Sequence, residues 1–175
     1  IANINLGDAE TVECTFTNTL QQGSLTIVKN TVGGNGQFSF GVTGPTPSTP
    51  VLNTVNNTAT TGAVPVNAGN YVITETVPAG WDLTSATCSN QSPVNNVAIA
   101  AGENVTCTFT NTQRGHLIVQ KTTNPASDPT QFSISATGNG TIIGRGAGFA
   151  TDLTDKDYEV TAGTYSVKET VPSGW

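Results

Sequence analysis

The chain has 175 residues, of which 35% are hydrophobic and only 10% are charged, and its 12 acidic and 6 basic residues give a net charge of −6 at pH 7. This excess of acidic residues argues against nucleic-acid binding, which depends on clustered Lys and Arg. No apolar run approaches the roughly 18 residues of a membrane-spanning helix. The segments between Gly- and Pro-rich turns are rich in Thr, Val and Ile and lack helical periodicity, so the sequence predicts an all-β protein.

In chain order, the first predicted strand is VECTFTNT at residues 12–19. Side chains alternate between the two faces of a strand. Val12, Cys14, Phe16 and Asn18 therefore share one face, and the intervening residues share the other. The apolar row predicts a buried face that ends in an amide side chain.

Three further strands each carry an apolar row that ends in one polar side chain. The rows are Leu25, Ile27 and Lys29 in GSLTIVKNT; Tyr71, Ile73 and Glu75 in YVITETVPAGW; and Val105, Cys107, Phe109 and Asn111 in VTCTFTNT. A buried charged or amide group is costly unless it is paired or used. The three row ends therefore predict a shared polar site on the inner face of the fold.

The pattern then begins again, with GHLIVQKTT at residues 115–123 and YSVKETVPSGW at residues 165–175. The new rows end in Lys121 and Glu169. A steady period of about 90 residues, with the elements in the same order, indicates tandem domains.

The repeat divides the chain into three parts. We expect residues 1–22 to be the C-terminal strands of a preceding repeat, residues 23–113 a complete repeat, and residues 114–175 an incomplete following one. Short strands separated by turn clusters predict tandem Ig-like antiparallel β-sandwiches.

Each polar row end has an ordinary explanation when taken alone, because Lys and Glu reach water from strand ends and Asn starts turns. Their coincidence in a chain with 6 basic residues favours a chemical one, a Lys–Asn isopeptide crosslink. Burial would lower the pKa of Lys29, so that its neutral amine could attack the Asn111 amide carbon and release ammonia. Burial also favours an uncharged Glu75, which could polarise the carboxamide and transfer protons.

The order of LTIVKN, YVITETVPAGW and FTNT resembles the CnaB-type, prealbumin-like (SpaA-like) repeat domains of bacterial surface adhesins and pilus backbones. Both copies of the Y-x-x-x-E-T-x-x-P-x-G-W segment carry this resemblance. It implies an isopeptide between Lys29 and Asn111 with Glu75 as its catalyst. It implies the same roles for Lys121 and Glu169 in the partial repeat, and for Asn18 as a last-strand Asn.

The three cysteines are Cys14, Cys88 and Cys107. Cys88 and Cys107 fall within one repeat, where a hairpin of neighbouring strands could pair them. Such a disulfide favours an extracellular or cell-surface location. Cys14 is the counterpart of Cys107, and its own partner would lie in the preceding repeat.

Glycosylation sequons occur at Asn56, Asn90, Asn104 and Asn139, which a chain so rich in Asn and Thr produces largely by composition. His116 is the only histidine, and no Cys/His cluster exists, so we expect no metal site and no cofactor.

The incomplete repeats leave two readings of the ends. The chain is a window of a longer repeat array, or residues 1–22 of one subunit complete residues 114–175 of the next by strand donation. The absence of a partner for Cys14 after Trp175 favours the first reading.

The sequence features bear on three classes of function. A structural stalk or filament, whose partners are neighbouring repeats or copies of itself along a fibre, explains the repeats, the crosslink residues and the disulfide. An adhesin or carbohydrate-binding module predicts exposed aromatic residues in one repeat only, whereas Trp81 and Trp175 occupy the same repeat position. We expect no enzymatic turnover, because the crosslink is a single self-modification.

Overall fold

The computed structural model describes residues 3–144 and 146–175. This part of the chain forms strands, turns and loops, as its β-branched composition requires. It contains no helix with the length and apolar character to cross a membrane. The prediction of an all-β fold is confirmed.

Residues 22–113, here called unit 1, contain nine strands. They are β1 (Gln22–Val32), β2 (Gln37–Thr43), β3 (Val51–Asn53), β4 (Thr58–Thr60), β5 (Val64–Asn67), β6 (Gly69–Thr76), β7 (Trp81–Cys88), β8 (Val97–Ile99) and β9 (Asn104–Gln113).

Two sheets form the sandwich of unit 1. One has the order β4-β1-β9-β7 with β5 also paired to β1, and the other has the order β3-β2-β6-β8. All of these pairs are antiparallel except β1 and β9, which run parallel. The predicted antiparallel sandwich therefore has one exception, and it joins the first strand of the unit to the last.

Alternation along the strands fills one continuous core between the two sheets. The apolar residues of the predicted rows lie in this core together with two phenylalanines of β2; they include Leu25, Ile27, Phe38, Phe40, Tyr71, Ile73, Val105, Cys107 and Phe109. A disulfide joins Cys88 to Cys107, which lie directly opposite each other on β7 and β9. The intervening chain crosses to the other sheet as β8, so the two cysteines belong to neighbouring strands but not to one hairpin.

Residues 115–175, here called unit 2, contain six strands. They are β10 (Gly115–Val119), β11 (Phe132–Gly138), β12 (Ile142–Ile143), β13 (Ala147–Ala150), β14 (Lys156–Val160) and β15 (Tyr165–Thr170). They form two three-stranded sheets with the orders β10-β14-β12 and β13-β11-β15.

Unit 2 repeats the first part of unit 1 but leaves one side of its sandwich uncovered. Among the described residues β10 pairs only with β14, whereas its counterpart β1 also pairs with β9. Val167 is 43% exposed where the matching Ile73 is 2% exposed. The fold therefore places an edge strand and an open core where unit 1 has its last strands.

Residues 3–21 form no strand in this chain, and all of them are exposed. Residues 1 and 2 of the predicted N-terminal segment lie outside the described residues. The apolar row of this segment is in water, with Phe16 88% exposed. The expectation that residues 1–22 pack as strands concerns a unit outside this copy of the chain, and it stays a prediction.

Arg114 connects the two units. Its Nε donates to both carboxylate oxygens of Asp82 in unit 1 at 3.0 Å, and its Nη1 lies 3.5 Å from Glu159 Oε1 in unit 2. The guanidinium lowers the pKa of the Asp82 carboxyl through these hydrogen bonds. The sequence repeat did not predict this bridge, because it lies at the junction rather than inside a repeat.

Candidate crosslinking site between the first and last strands

The parallel pairing of β1 and β9 positions two of the predicted site residues. Lys29 lies opposite Phe109, and Thr31 lies opposite Asn111. Because alternate residues face the core, Lys29 and Asn111 both point inward from adjacent strands. Glu75 reaches the same point from β6 in the facing sheet.

The three side chains meet at the Lys29 amine. Lys29 Nζ lies 2.6 Å from Asn111 Oδ1, to which it donates a hydrogen bond, and 2.9 Å from Glu75 Oε1. The sequence hypothesis therefore selected three residues that the fold brings into contact from three strands distant in the chain.

Burial determines the electrostatics of this cluster. The side chains of Lys29 and Glu75 are both 0% exposed, and Asn111 is also 0% exposed. Loss of solvent lowers the pKa of Lys29, and the nearby carboxylate of Glu75 opposes that shift without cancelling it. Burial thus favours the neutral amine, which is the nucleophilic form of lysine.

Several polar atoms of the site are left without hydrogen bonds among the described residues. They are both carboxylate oxygens of Glu75 and the Asn111 amide nitrogen Nδ2. The Lys29–Glu75 distance is that of an ion pair, although its orientation falls outside hydrogen-bond geometry. An unsatisfied buried polar group costs about 1–3 kcal/mol, so this arrangement is poor as a purely structural network.

Phe38 completes the site, and sequence reasoning missed it. Lys29 Nζ lies 4.3 Å from the centre of the Phe38 ring, which in turn packs edge-on against Trp81. The ring covers the amine and keeps water away from it. A signal was available, because QFSF at residues 37–40 recurs as QFSI at residues 131–134.

The geometry is suited to amide exchange. The Lys29 amine already contacts the Asn111 carboxamide through its oxygen, which supplies the proximity that an intramolecular reaction needs. Glu75 lies on the amine and can accept one of its protons. The chemistry that this geometry allows is an amide bond between a side chain of β1 and a side chain of β9.

Unit 2 holds the same arrangement without the asparagine. Lys121 Nζ lies 2.8 Å from Glu169 Oε1 and 3.9 Å from the centre of the Phe132 ring. Trp175 packs edge-on against Phe132, as Trp81 does against Phe38 in unit 1. The side chains of Lys121 and Glu169 are 20% and 33% exposed, so this pair faces solvent.

The remaining predicted residues lie away from the two lysine sites. Asn18 is exposed, and Cys14 is an exposed free thiol. Of the sequon residues, Asn90 is half-buried and donates to the Ala98 carbonyl at 2.7 Å. The other three, Asn56, Asn104 and Asn139, are exposed.

The Bacillus anthracis TIE protein is among the solved structures that this chain resembles. It matches 88% of this chain at 21% sequence identity, with a TM-score of 0.39. The match covers 29% of the length of that protein. Comparison with curated protein sequences gave no match.

Comparison with family models gives two matches, one in each unit. A prealbumin-like fold domain model of the SpaA type matches residues 25–113. A second model with the same description matches residues 115–175. The first covers just over half of the chain, and together they extend over both units. This chain belongs to the prealbumin-like fold domain family and carries two of its domains in tandem.

Proposed function

We propose that the chain is a structural segment of an extracellular filament or cell-surface stalk, and that unit 1 locks itself with a Lys29–Asn111 isopeptide bond. SpaA-type prealbumin-like domains are structural repeats of surface and pilus proteins, which supports the general role. The observation that carries the specific proposal is the buried contact between the Lys29 amine and the Asn111 carboxamide, with Glu75 against the amine.

The reaction balances within these three side chains. The Lys29 amine, in the neutral form that burial favours, adds to the Asn111 amide carbon and forms the new C–N bond. Glu75 takes a proton from the attacking nitrogen and delivers it to Nδ2. The C–Nδ2 bond breaks, and one ammonia leaves for each amide formed. No oxidant, metal or cofactor takes part in this balance.

The position of the bond supports a mechanical role. Because β1 enters unit 1 and β9 leaves it, a bond between them carries tension directly across the unit. The rest of the sandwich would then bear no load. The Cys88–Cys107 disulfide adds a second lock between β7 and β9 and fits an extracellular setting.

Glu75→Gln should keep unit 1 folded but prevent the crosslink, because the amide has the size of the carboxyl and cannot accept the proton. Intact mass spectrometry of the refolded variant should give the mass of its sequence less only the two hydrogens of the Cys88–Cys107 disulfide. The matched control is Glu169→Gln, the same change in unit 2, which should leave the loss of ammonia in unit 1 unaltered. Ammonia loss in Glu75→Gln at the wild-type rate would remove Glu75 from the mechanism.

A second candidate function, carbohydrate binding, receives less support from the surface of unit 1. A cleft of about 570 Å³ lies between the sheets and is lined by aliphatic side chains, Thr, Ser and Pro. None of the described residues that line it is aromatic, although sugar sites commonly use aromatic faces. Trp81 is 7% exposed and packs in the core.

A further inference from the structure

The two units share neither a hydrophobic core nor a sheet. The buried apolar residues of unit 1 form one cluster, and those of unit 2 form a separate one. In the part of the chain that the structure describes, no strand of unit 1 pairs with a strand of unit 2. The angle between the units is therefore set by the residues at the junction.

A single residue, Arg114, separates the last strand of unit 1 from the first strand of unit 2. Strand β9 ends at Gln113, and β10 begins at Gly115. Each backbone residue has two soft dihedral angles, and glycine allows the widest choice of both. Arg114 and Gly115 thus form a hinge that is restrained only by contacts across the junction.

Unit 1 holds Arg114 by both its backbone and its side chain. The Arg114 N–H donates to the Gly80 carbonyl at 2.8 Å, and the guanidinium forms a forked ion pair with Asp82 on β7. A forked contact fixes the plane of the guanidinium as well as its position. The third nitrogen, Nη1, donates to Glu159 Oε1 of unit 2 at 3.5 Å.

Glu159 receives this contact from the outer face of β14. It shares that face with Asp157, because alternate residues of a strand point the same way. Asp157 pairs instead with His116 inside unit 2, at 3.0 Å. Among residues 3–144 and 146–175, the Arg114–Glu159 contact is the one hydrogen bond or ion pair that ties unit 2 to Arg114 or to unit 1.

Unit 1 shows that a unit folds without these two charges. Its first strand follows TNTLQQ as that of unit 2 follows TNTQR, so Gln22 occupies the position of Arg114. Pro65 takes the place of Glu159 in the strand that pairs with the first strand of each unit. The two charges therefore belong to the junction and not to the domain fold.

We propose that Arg114 and Glu159 form an electrostatic latch that fixes the angle between the two units. With the latch closed the tandem is one rigid body, and with the latch open the units turn about Arg114 and Gly115. The inference goes beyond the proposed function and does not depend on the crosslink in unit 1.

The exposure of the latch makes it weak and reversible. The side chains of Arg114 and Glu159 are 22% and 29% exposed, so water and salt reach both charges. A partly exposed ion pair favours the closed form over the open one by no more than about fivefold. In a stalk or filament, such a joint would bend under a small load and return to its original angle.

Residual dipolar couplings of the full chain in a neutral stretched gel test the latch, because they report the orientation of each unit separately. At low salt, the couplings of both wild-type units should fit one alignment tensor. Raising NaCl from about 0.05 M to about 1 M shortens the screening length to about 3 Å and should open the latch. The alignment of unit 2 relative to unit 1 should then fall, while the couplings within each unit still fit its own structure.

Glu159→Gln removes the charge of unit 2 and leaves the pair between Arg114 and Asp82 intact. At low salt, this variant should show the reduced relative alignment that the wild type reaches only at high salt. It should also respond little to added salt, because no ion pair across the junction is left to screen. Arg114→Lys should behave in the same way, because an ammonium lacks the fork that spans two carboxylates.

The matched control is Asp157→Asn, which removes an equal charge from the same face of β14 but breaks only the pair with His116. It should keep the single alignment tensor and the salt response of the wild type. The proposal is wrong if Glu159→Gln retains both of these properties, or if Asp157→Asn loosens the junction as much as Glu159→Gln does. Unequal alignment of the two wild-type units at low salt would likewise contradict it.

Discussion

When the wild-type chain is stretched by its two ends in a force spectrometer, the residues between Lys29 and Asn111 should add nothing to its contour length. In Asn111→Ala the same residues should unfold and extend in one step. The isopeptide would carry tension from β1 directly to β9, so the enclosed residues would be shielded. With the Cys88–Cys107 disulfide intact, the variant should extend by roughly 60 residues, or on the order of 200 Å. Unit 2 contributes equally to both traces and cancels in the comparison.

The disulfide provides an internal length standard for this experiment. Its cysteines are 19 residues apart, so reduction should lengthen the step of Asn111→Ala by about 65 Å. Reduction should leave the wild-type trace unchanged, because the enclosed residues are shielded in either redox state. A wild-type step as long as that of the variant would show that β1 and β9 are not covalently joined.

The second large effect is on equilibrium stability. The bond would close a loop of about 80 residues, and loop-closure entropy for this length corresponds to about 4–5 kcal/mol. Asn111→Ala should therefore lower the free energy of unfolding of unit 1 by at least this amount, and its Tm by about 20–30 °C. Trp81, buried against Phe38, reports on unit 1 alone when the measurement is made in a Trp175→Phe background.

The matched control for this substitution is Asn18→Ala. It makes the same chemical change at an exposed residue of identical local sequence, and it should alter the stability of unit 1 by no more than about 0.5 kcal/mol. A loss below about 1 kcal/mol in Asn111→Ala would mean that no loop is closed in the wild-type protein.

The residues on the inner face of the site could be predicted from the sequence, because the alternation of side chains along a strand is a local property. Alternation along a strand places Lys29 with Leu25 and Ile27, and it places Asn111 with Phe109, whatever the partners of each strand are. The repeat then indicated which polar residues to group, since Lys recurs at the same point of GSLTIVKNT and GHLIVQKTT, and Glu at the same point of YVITETVPAGW and YSVKETVPSGW.

The features that the sequence did not predict depend on contacts between distant segments. Alternation says nothing about the direction in which two strands pair, so the parallel pairing of β1 and β9 was not expected. The Phe38 ring reaches the Lys29 amine from the other sheet, and Arg114 bridges two units.

The central claim is that unit 1 contains a Lys29–Asn111 isopeptide bond, and the most direct measurement is the intact mass of the folded wild-type monomer. We expect a mass lower than that of the sequence by one ammonia, in addition to the two hydrogens lost in the Cys88–Cys107 disulfide. Proteolysis should yield a branched peptide in which the Lys29 side chain is joined to that of Asn111. A folded monomer that retains the ammonia, and whose Lys29 and Asn111 peptides separate after digestion and reduction, would contradict the claim.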